Sequence, residues 1–466
     1  MAEGTSGRIA SDWRLGLSPT ADSKALNRLL LARWVSLLGD GITPVALAFA
    51  VLDISGTGAL GAVLAARTVT GVAFLPIGGV IGDRIDRRRV LLASELTAMA
   101  SQASLGVLIV TRHADIPVIC ALIAVRGACG AIFNPTATSA VRHIAGGNRQ
   151  RAFALLGLGN NVADIAGPAL AGAWLVIAGP GWLLIGDAAS FAISVLLVRT
   201  TRDLGRAQRD KAFSMITDLR EGLEVIARLR WLMAITLTSC AFQFCWLSCV
   251  SVLGPAIAKA DLGGARAWAL ISLGLGLGGV LGSSVAARVR PRHPLFTGFV
   301  MLVLGTPPTL FLLAIPAPTV ALVFAQFLAG SIIGFFTVLE SMAVASHTPP
   351  ELLSRVDSLN RMGSAALSPL GLLVVGIVPS AIGDRSTLLI FALLTLVAVG
   401  TPLFSRSVRH LADAPVEASD AENFATLCGL GISTAQVARR ELTWKRSPKP
   451  RSPITVSLDM WSFAGW

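Results

Sequence analysis

The stretch that decides the fold is GVIGDRIDRRR, residues 79–89, a short charged segment between two long apolar runs. The two runs cover about 59–81 and 90–111, and each reaches the roughly 20 apolar residues that a bilayer-spanning helix needs. The whole chain is 53% hydrophobic and only 14% charged, whereas a soluble domain carries about 25% charged residues. This composition excludes a soluble enzyme, a secreted disulfide scaffold and a disordered chain, and it indicates a polytopic membrane protein.

Apolar runs of this length occur twelve times, which predicts an all-α integral membrane protein with twelve transmembrane helices. They lie near 29–52, 59–81, 90–111, 116–140, 152–178, 182–199, 231–257, 267–288, 294–314, 318–345, 352–380 and 386–405. The longest connection divides them six and six. The predicted organisation is a cytoplasmic N-terminal segment (1–28), an N-terminal six-helix bundle (29–200), a cytoplasmic linker with an interfacial amphipathic helix (201–230), a C-terminal six-helix bundle (231–406) and a disordered cytoplasmic tail (407–466).

Basic residues in the connections predict the orientation, since cytoplasmic loops carry an excess of Lys and Arg. With the N-terminus inside, the cytoplasmic connections hold 19 basic residues and the outer ones hold 4. Both termini are therefore predicted to be cytoplasmic, in the cell (inner or plasma) membrane of a bacterium. The same asymmetry accounts for most of the net charge of +12, so we expect no nucleic-acid partner.

The stretch 79–89 resembles the signature loop of the major facilitator superfamily: Gly, three residues, Asp-Arg, two residues and a basic pair. The superfamily's second Gly is replaced by Asp86. Residues 126–130 (RGACG) resemble its intramembrane Arg motif, and residues 163–172 (ADIAGPALAG) resemble the Gly-Pro motif of proton-driven antiporters. Phrases at 38–41, 187–191 and 353–356 resemble the multidrug and siderophore exporter branch. The resemblance implies a gating loop formed by Gly79, Asp83, Arg84, Arg87 and Arg88, and a helix bend at Gly167, Pro168 and Gly172.

The resemblance implies two pseudo-symmetric six-helix bundles and a secondary active transporter. Such a protein would export amphipathic or hydrophobic small molecules, of drug, antibiotic or siderophore type, by proton antiport with alternating access. The alternatives are an importer or uniporter of the same fold, a lipid-modifying membrane enzyme, and a non-transporting receptor or scaffold. The five His residues are scattered over separate loops, which disfavours the enzyme. We expect a monomer in the lipid bilayer whose partners are its small-molecule substrate and protons.

Ionisable residues inside membrane spans are costly and mark function by default. The proton-coupling candidates are Asp40, Asp164 and Glu340, and the cavity or substrate candidates are Arg67, Arg126, Asn160, Gln243 and Arg361. Asp40 has no obvious local partner and ranks first as proton carrier. Arg126 is expected to pair with Asp164 on the neighbouring span. Asp187, on a supporting span, is expected to have a structural hydrogen-bonding role.

Two further expectations concern packing and gating. The glycines at 274, 276, 278, 279 and 282 predict a close-packing helix face. Asp83 is hypothesised to dock on the start of the eleventh span, where Thr348-Pro349-Pro350-Glu351 provides helix-capping residues. The six cysteines show no metal-ligand spacing, and there is no Walker-type phosphate loop. We therefore predict no metal, no cofactor and no enzymatic activity.

Overall fold

The computed structural model describes residues 21–201, 204, 230–289, 291–348, 356, 360 and 362–409, and the regular elements in these ranges are helices. The first six long helices are α1 (Ala21–Ile54), α2 (Thr57–Arg84), α3 (Arg87–Val110), α4 (Ile116–Ala145), α5 (Arg149–Leu175) and α6 (Gly179–Thr200). The others are α7 (Arg230–Phe242, a π-helical turn Gln243–Leu247, and Ser248–Asp261), α8 (Ala265–Ala286), α9 (Pro294–Gly305 and Pro307–Ala314), α10 (Thr319–His347), α11 (Ser368–Ile382) and α12 (Asp384–Gly400). Short helical turns lie at Gly146–Asn148, Thr401–Phe404 and Arg406–Arg409.

Each predicted span overlaps a long helical segment, and the eleventh is described as helical from Met362 to Ile382. Within the described ranges, 11 helices are long and apolar enough to cross a membrane. The remaining one is α5, which has 27 residues and at 1.5 Å per residue is long enough to span, but it carries several polar side chains. The predicted linker helix, the tail beyond Arg409 and most of the N-terminal segment lie outside the described residues.

The helices form two halves, α1–α6 and α7–α12, with matching internal contacts. In the first half α2 packs on α4 and α3 packs on α6; in the second, α8 packs on α10 and α9 packs on α12. The main contacts between the halves pair α2 with α11 and α5 with α8. Helix α2 of the first half corresponds to α8 of the second, and α5 corresponds to α11. Exchanging the two halves therefore turns the α2–α11 contact into the α8–α5 contact. The arrangement is the expected pseudo-symmetric pair of bundles.

Small residues allow the helices of each half to approach closely. A Cβ atom at Gly274, Gly278 or Gly282 would overlap or crowd the carbonyl oxygens of Val323, Phe327 or Ser331 in α10. The predicted close-packing face of α8 is therefore confirmed for these three glycines. Gly276 lies instead against Asp164 and Ile165 of α5, so it packs between the halves. Without a hydrophobic drive inside lipid, such close backbone approach is a main source of helix association.

The hydrogen bonds and ion pairs that join the halves, within the described ranges, lie at one end of the molecule. Lys259 near the end of α7 contacts the Asp53 carboxylate at 2.6 Å and donates to the Leu52 carbonyl at 2.6 Å. Thr57 at the start of α2 donates to the Gly376 carbonyl of α11 at 3.2 Å. We call this the closed end. It is the end where α1 finishes and α2 begins.

Candidate functional site

A central cavity of about 1490 Å³ lies between the two halves. Its walls include apolar side chains from both halves, among them Phe133, Phe242 and Phe336, together with the indole of Trp246. That indole is 1% exposed and donates to the Thr306 carbonyl and to the Thr309 hydroxyl at 3.0 and 2.8 Å. The cavity exceeds the roughly 300–1,000 Å³ of a typical small-molecule site.

An ion pair between Asp40 of α1 and Arg126 of α4 occupies the wall of the first half. Arg126 is 6% exposed, and its guanidinium carbon lies 4.5 Å from the centre of the Phe191 ring in α6. Arg67 of α2 lies 3.9 Å from the same Asp40 oxygen. A buried guanidinium is costly unless it is paired, so Asp40 and the Phe191 ring together hold Arg126 in place.

This pairing corrects two expectations. The sequence suggested that Arg126 pairs with Asp164 and that Asp40 has no partner. Instead, α5 packs mainly on α1 and only slightly on α4, because Gly41 and Gly167 let the two backbones touch. Asp164 is an exposed side chain on the cavity wall, and the carboxylate beside Arg126 is that of Asp40 in α1.

The second half contributes a hydrogen-bonded chain of three polar side chains. Thr236 of α7 donates to the Asn360 side-chain oxygen at 2.6 Å, and the Asn360 amide donates to Glu340 of α10 at 3.0 Å. Both Glu340 and Asn360 line the cavity. Glu340 therefore lies in the cavity as predicted, and it is engaged by a partner that the sequence did not suggest.

Gln243 lies in the π-helical turn of α7 and lines the cavity, as predicted. Its backbone carbonyl accepts a hydrogen bond from Ser248 at 3.0 Å, which satisfies a group that the irregular turn frees. Such turns are frequent at functional sites. Arg361 lies outside the described residues, and Asn160 is exposed and does not line the cavity within the described part of α5, whereas its neighbour Asn161 does.

Reasoning from the sequence missed two charged residues of the cavity wall, Arg33 of α1 and Glu95 of α3. Arg33 donates to the Asn134 side chain at 2.8 Å and lies 5.3 Å from the centre of the Phe133 ring. Glu95 is 3% exposed. The rule that ionisable residues within membrane spans mark function identifies both, since Arg33 and Glu95 lie inside the apolar runs 29–52 and 90–111.

Asp187 of α6 has the structural surroundings that were expected for it. The carboxylate is 2% exposed and accepts hydrogen bonds from Thr43 and Gln102, both at 2.7 Å, and from Ser190 at 3.2 Å. These bonds connect α1, α3 and α6. A buried carboxyl group with three donors has its hydrogen-bonding capacity met and fastens the helices around it.

The basic residues of the 79–89 loop contact the end of α6. Arg87 donates to the Leu204 carbonyl at 3.3 Å, and Arg88 donates to the Arg199 carbonyl. Basic groups are favourable at a helix C-terminus because of its free carbonyls and dipole. Arg84 is exposed. The surroundings of Gly79, the side chain of Asp83 and residues 349–355 lie outside what the structure describes, so docking of Asp83 on the eleventh span stays a prediction.

The Gly-Pro motif of α5 lies within one continuous helix. A Cβ at Gly167 would lie 2.5–2.8 Å from the backbone of Gly41 in α1, and a Cβ at Gly172 would overlap Ala269 of α8. The two glycines therefore act as packing positions, one within the first half and one between the halves. Bending at Pro168 stays a prediction.

The comparisons with known proteins agree with this architecture. The family model for the Major Facilitator Superfamily matches residues 29–315. The chain belongs to this superfamily. It is 26% identical over 400 residues to the multidrug efflux pump Tap of Mycolicibacterium fortuitum, which covers 82% of this chain and 96% of the relative. It is also 26% identical over 426 residues to the enterobactin exporter EntS of Salmonella paratyphi A, covering 86% and 99%.

Solved structures show the same superfamily fold. A variant of the nucleoside transporter NupG superposes with a TM-score of 0.69 at 14% identity, covering 82% of this chain and all of the other. A variant of the peptide transporter POT gives a TM-score of 0.68 at 14% identity, covering 84% and 96%. The protein is therefore a multi-pass membrane transporter of the Major Facilitator Superfamily with efflux pumps among its relatives.

Proposed function

We propose that this transporter exports amphipathic or hydrophobic small molecules, of drug, antibiotic or siderophore type, by proton antiport. The observation that carries the proposal is a large cavity between the halves, with apolar walls, that contains the Asp40–Arg126 ion pair. The volume accommodates a drug-sized molecule. The names of the relatives Tap and EntS, a multidrug efflux pump and an enterobactin exporter, favour export over import or passive uniport.

Alternating access would proceed by rocking of the halves, 29–200 and 231–406, around the cavity. With both termini in the cytoplasm of a bacterial cell, the closed end faces outward. The described conformation is then the one that loads substrate from the cytoplasm. Opening the other way requires separation of α2 from α11 and of Lys259 from Asp53.

Asp40 is the proposed proton carrier of this cycle, with Asp164 and Glu340 as the further candidates. When ionised, its carboxylate pairs with Arg126; when protonated, it releases that guanidinium. The two states therefore differ in the electrostatics of the cavity wall, and a proton that binds one conformation better than the other shifts their populations. Arg67 and Gln243 are the proposed substrate contacts beside this pair.

The test is transport by the purified monomer reconstituted in lipid vesicles, with a panel of dyes, antibiotics and siderophores. We expect an imposed proton gradient to drive at least one compound opposite to proton flow. Asp40→Asn should lower this gradient-driven flux at least tenfold. Asp115→Asn is the matched control, because Asp115 is exposed at the start of α4 and makes no capping hydrogen bond. A wild-type flux that does not depend on the proton gradient would contradict the mechanism, and so would full activity of Asp40→Asn.

A further inference from the structure

Glu95 is a buried carboxyl group that the proposed cycle does not use. It lies in α3, eight residues after the helix begins at Arg87, and lines the cavity although only 3% of it is exposed. Its Oε2 atom has no hydrogen-bond partner within the described residues. An ionised carboxylate without compensating hydrogen bonds is costly to bury, so this position favours the protonated form.

The charged and titratable groups around Glu95 come from two helices. Helix α1 provides Arg33 and Asp40, and α4 provides Arg126 and Cys129. Helix α6 provides the uncharged Ser194, which is fully buried and lies beside the carboxyl. Glu95 is therefore within the field of the same arginine that binds Asp40, without the direct ion pair that Asp40 makes.

Comparison with Asp187 shows that burial alone does not leave a carboxyl oxygen without a hydrogen-bond partner. Asp187 is as deeply buried as Glu95, but three side chains donate hydrogen bonds to it. Both of its carboxyl oxygens therefore accept hydrogen bonds from fixed dipoles. Glu95 depends instead on two arginines, of which Arg126 is bound by Asp40 and Arg33 by Asn134.

We propose that Glu95 is a second proton-carrying carboxyl group, which alternates with Asp40 as the ionised partner of the cavity arginines. In the described conformation Asp40 is ionised against Arg126, and Glu95 holds a proton. When Asp40 takes up a proton, Arg126 loses its carboxylate, and Glu95 releases its own proton to solvent in the cavity and becomes the ionised group. One proton is bound and one is released, so the charge of the cluster is conserved.

The two carboxyl groups lie at nearly the same depth in the molecule. Asp40 precedes the end of α1 at Ile54 by 14 residues, and Glu95 precedes the end of α3 at Val110 by 15 residues. Both of these helix ends belong to the closed end, so the exchange takes place at one level of the cavity wall. This inference rests on the proposed proton antiport and adds the group that delivers the proton.

The first test uses the folded wild-type protein and dicyclohexylcarbodiimide, an apolar reagent that reacts with protonated carboxyl groups. Peptide mass spectrometry should find Glu95 modified and Asp187 unmodified. In Asp40→Asn, where Arg126 has lost its carboxylate, Glu95 should become ionised and its labelling should fall about fivefold. No labelling of Glu95 in the wild type, or equal labelling in both proteins, overturns the proposal. This readout needs no transport, so it separates failure here from failure of the proposed function.

The second test compares Glu95→Gln with Glu95→Asp in vesicles, using a compound that the wild type exports. Glu95→Gln should lose gradient-driven efflux at least tenfold while keeping substrate exchange, which requires no net proton movement. Glu95→Asp, which can still carry a proton, should recover most of the efflux and shift its pH profile. If Glu95→Gln keeps efflux, or if both variants lose exchange as well, Glu95 carries no proton in the cycle.

Discussion

Asp86 is the N-cap residue of α3. Its side chain accepts a hydrogen bond from the backbone N–H of Arg89 at 3.1 Å, which satisfies one of the donors left free at a helix N-terminus. The superfamily pattern has Gly at this position, and Asp is also a favourable N-cap. The Asp that replaces this Gly therefore stabilises the start of the helix that follows it.

We expect Asp86→Ala to destabilise the protein by about 1 kcal/mol through loss of this cap. Asp86→Asn retains an acceptor oxygen and should stay within a few tenths of a kcal/mol of the wild type. Thermal unfolding in detergent, followed by tryptophan fluorescence, measures the difference. Equal midpoints for Asp86→Ala and Asp86→Asn would show that the hydrogen bond contributes nothing.

The residues of the site were predicted better than their pairing. Asp40, Arg67, Arg126 and Gln243 could be located because ionisable and polar side chains in apolar runs are conspicuous. The partner of Arg126 could not be predicted. The expected pair with Asp164 requires α5 to pack on α4, whereas α5 packs mainly on α1. That contact is decided by Gly41 and Gly167 meeting across two helices, and a single chain does not display which glycines meet.

At the scale of elements, α8 and α10 form the backbone-to-backbone contact of the second half. The glycine spacing in α8 predicted such a face, and the apolar runs predicted the spans themselves, including α5 with its several polar side chains. The break of α9 at Thr306–Pro307 and the π-helical turn in α7 were not predicted. Both are local rearrangements of hydrogen bonds within an apolar run, and they leave hydropathy unchanged.

Neighbouring glycines in α8 provide a matched pair for testing this contact. A Cβ at Gly278 would overlap the Phe327 carbonyl oxygen, whereas a Cβ at Gly279 would be 3.9 Å from its nearest neighbour, the Gly330 carbonyl oxygen. Both substitutions to Ala gain about the same helix propensity. We expect Gly278→Ala to lower the thermal midpoint and the folded yield, and Gly279→Ala to leave them unchanged or slightly higher. Equal effects of the two substitutions would argue against close packing of α8 on α10.

At the scale of the whole molecule, the closed end combines weak charge contacts with tight backbone contacts. Lys259 and Asp53 are 38% and 58% exposed, and exposed ion pairs contribute about 0–1 kcal/mol. They cannot hold the halves together alone. The contact of Gly61 with Leu372 and Gly376 is different, because a Cβ at Gly61 would overlap the Leu372 carbonyl oxygen. This end closes because the backbones of α2 and α11 can touch.

We therefore expect Gly61→Ala to shift the population toward the conformation in which this end is open. The matched control is Gly58→Ala, since a Cβ at Gly58 would lie 3.6 Å from the Gly376 carbonyl oxygen, an ordinary contact. Spin labels at the exposed positions Ser55 and Arg266, in a background without the native cysteines, report the separation of the halves by pulsed electron resonance. Gly61→Ala should add a longer-distance component that Gly58→Ala lacks. Because the added methyl group penalises only the closed arrangement, an unchanged distance distribution in Gly61→Ala would mean that α2 and α11 do not separate when the transporter changes conformation.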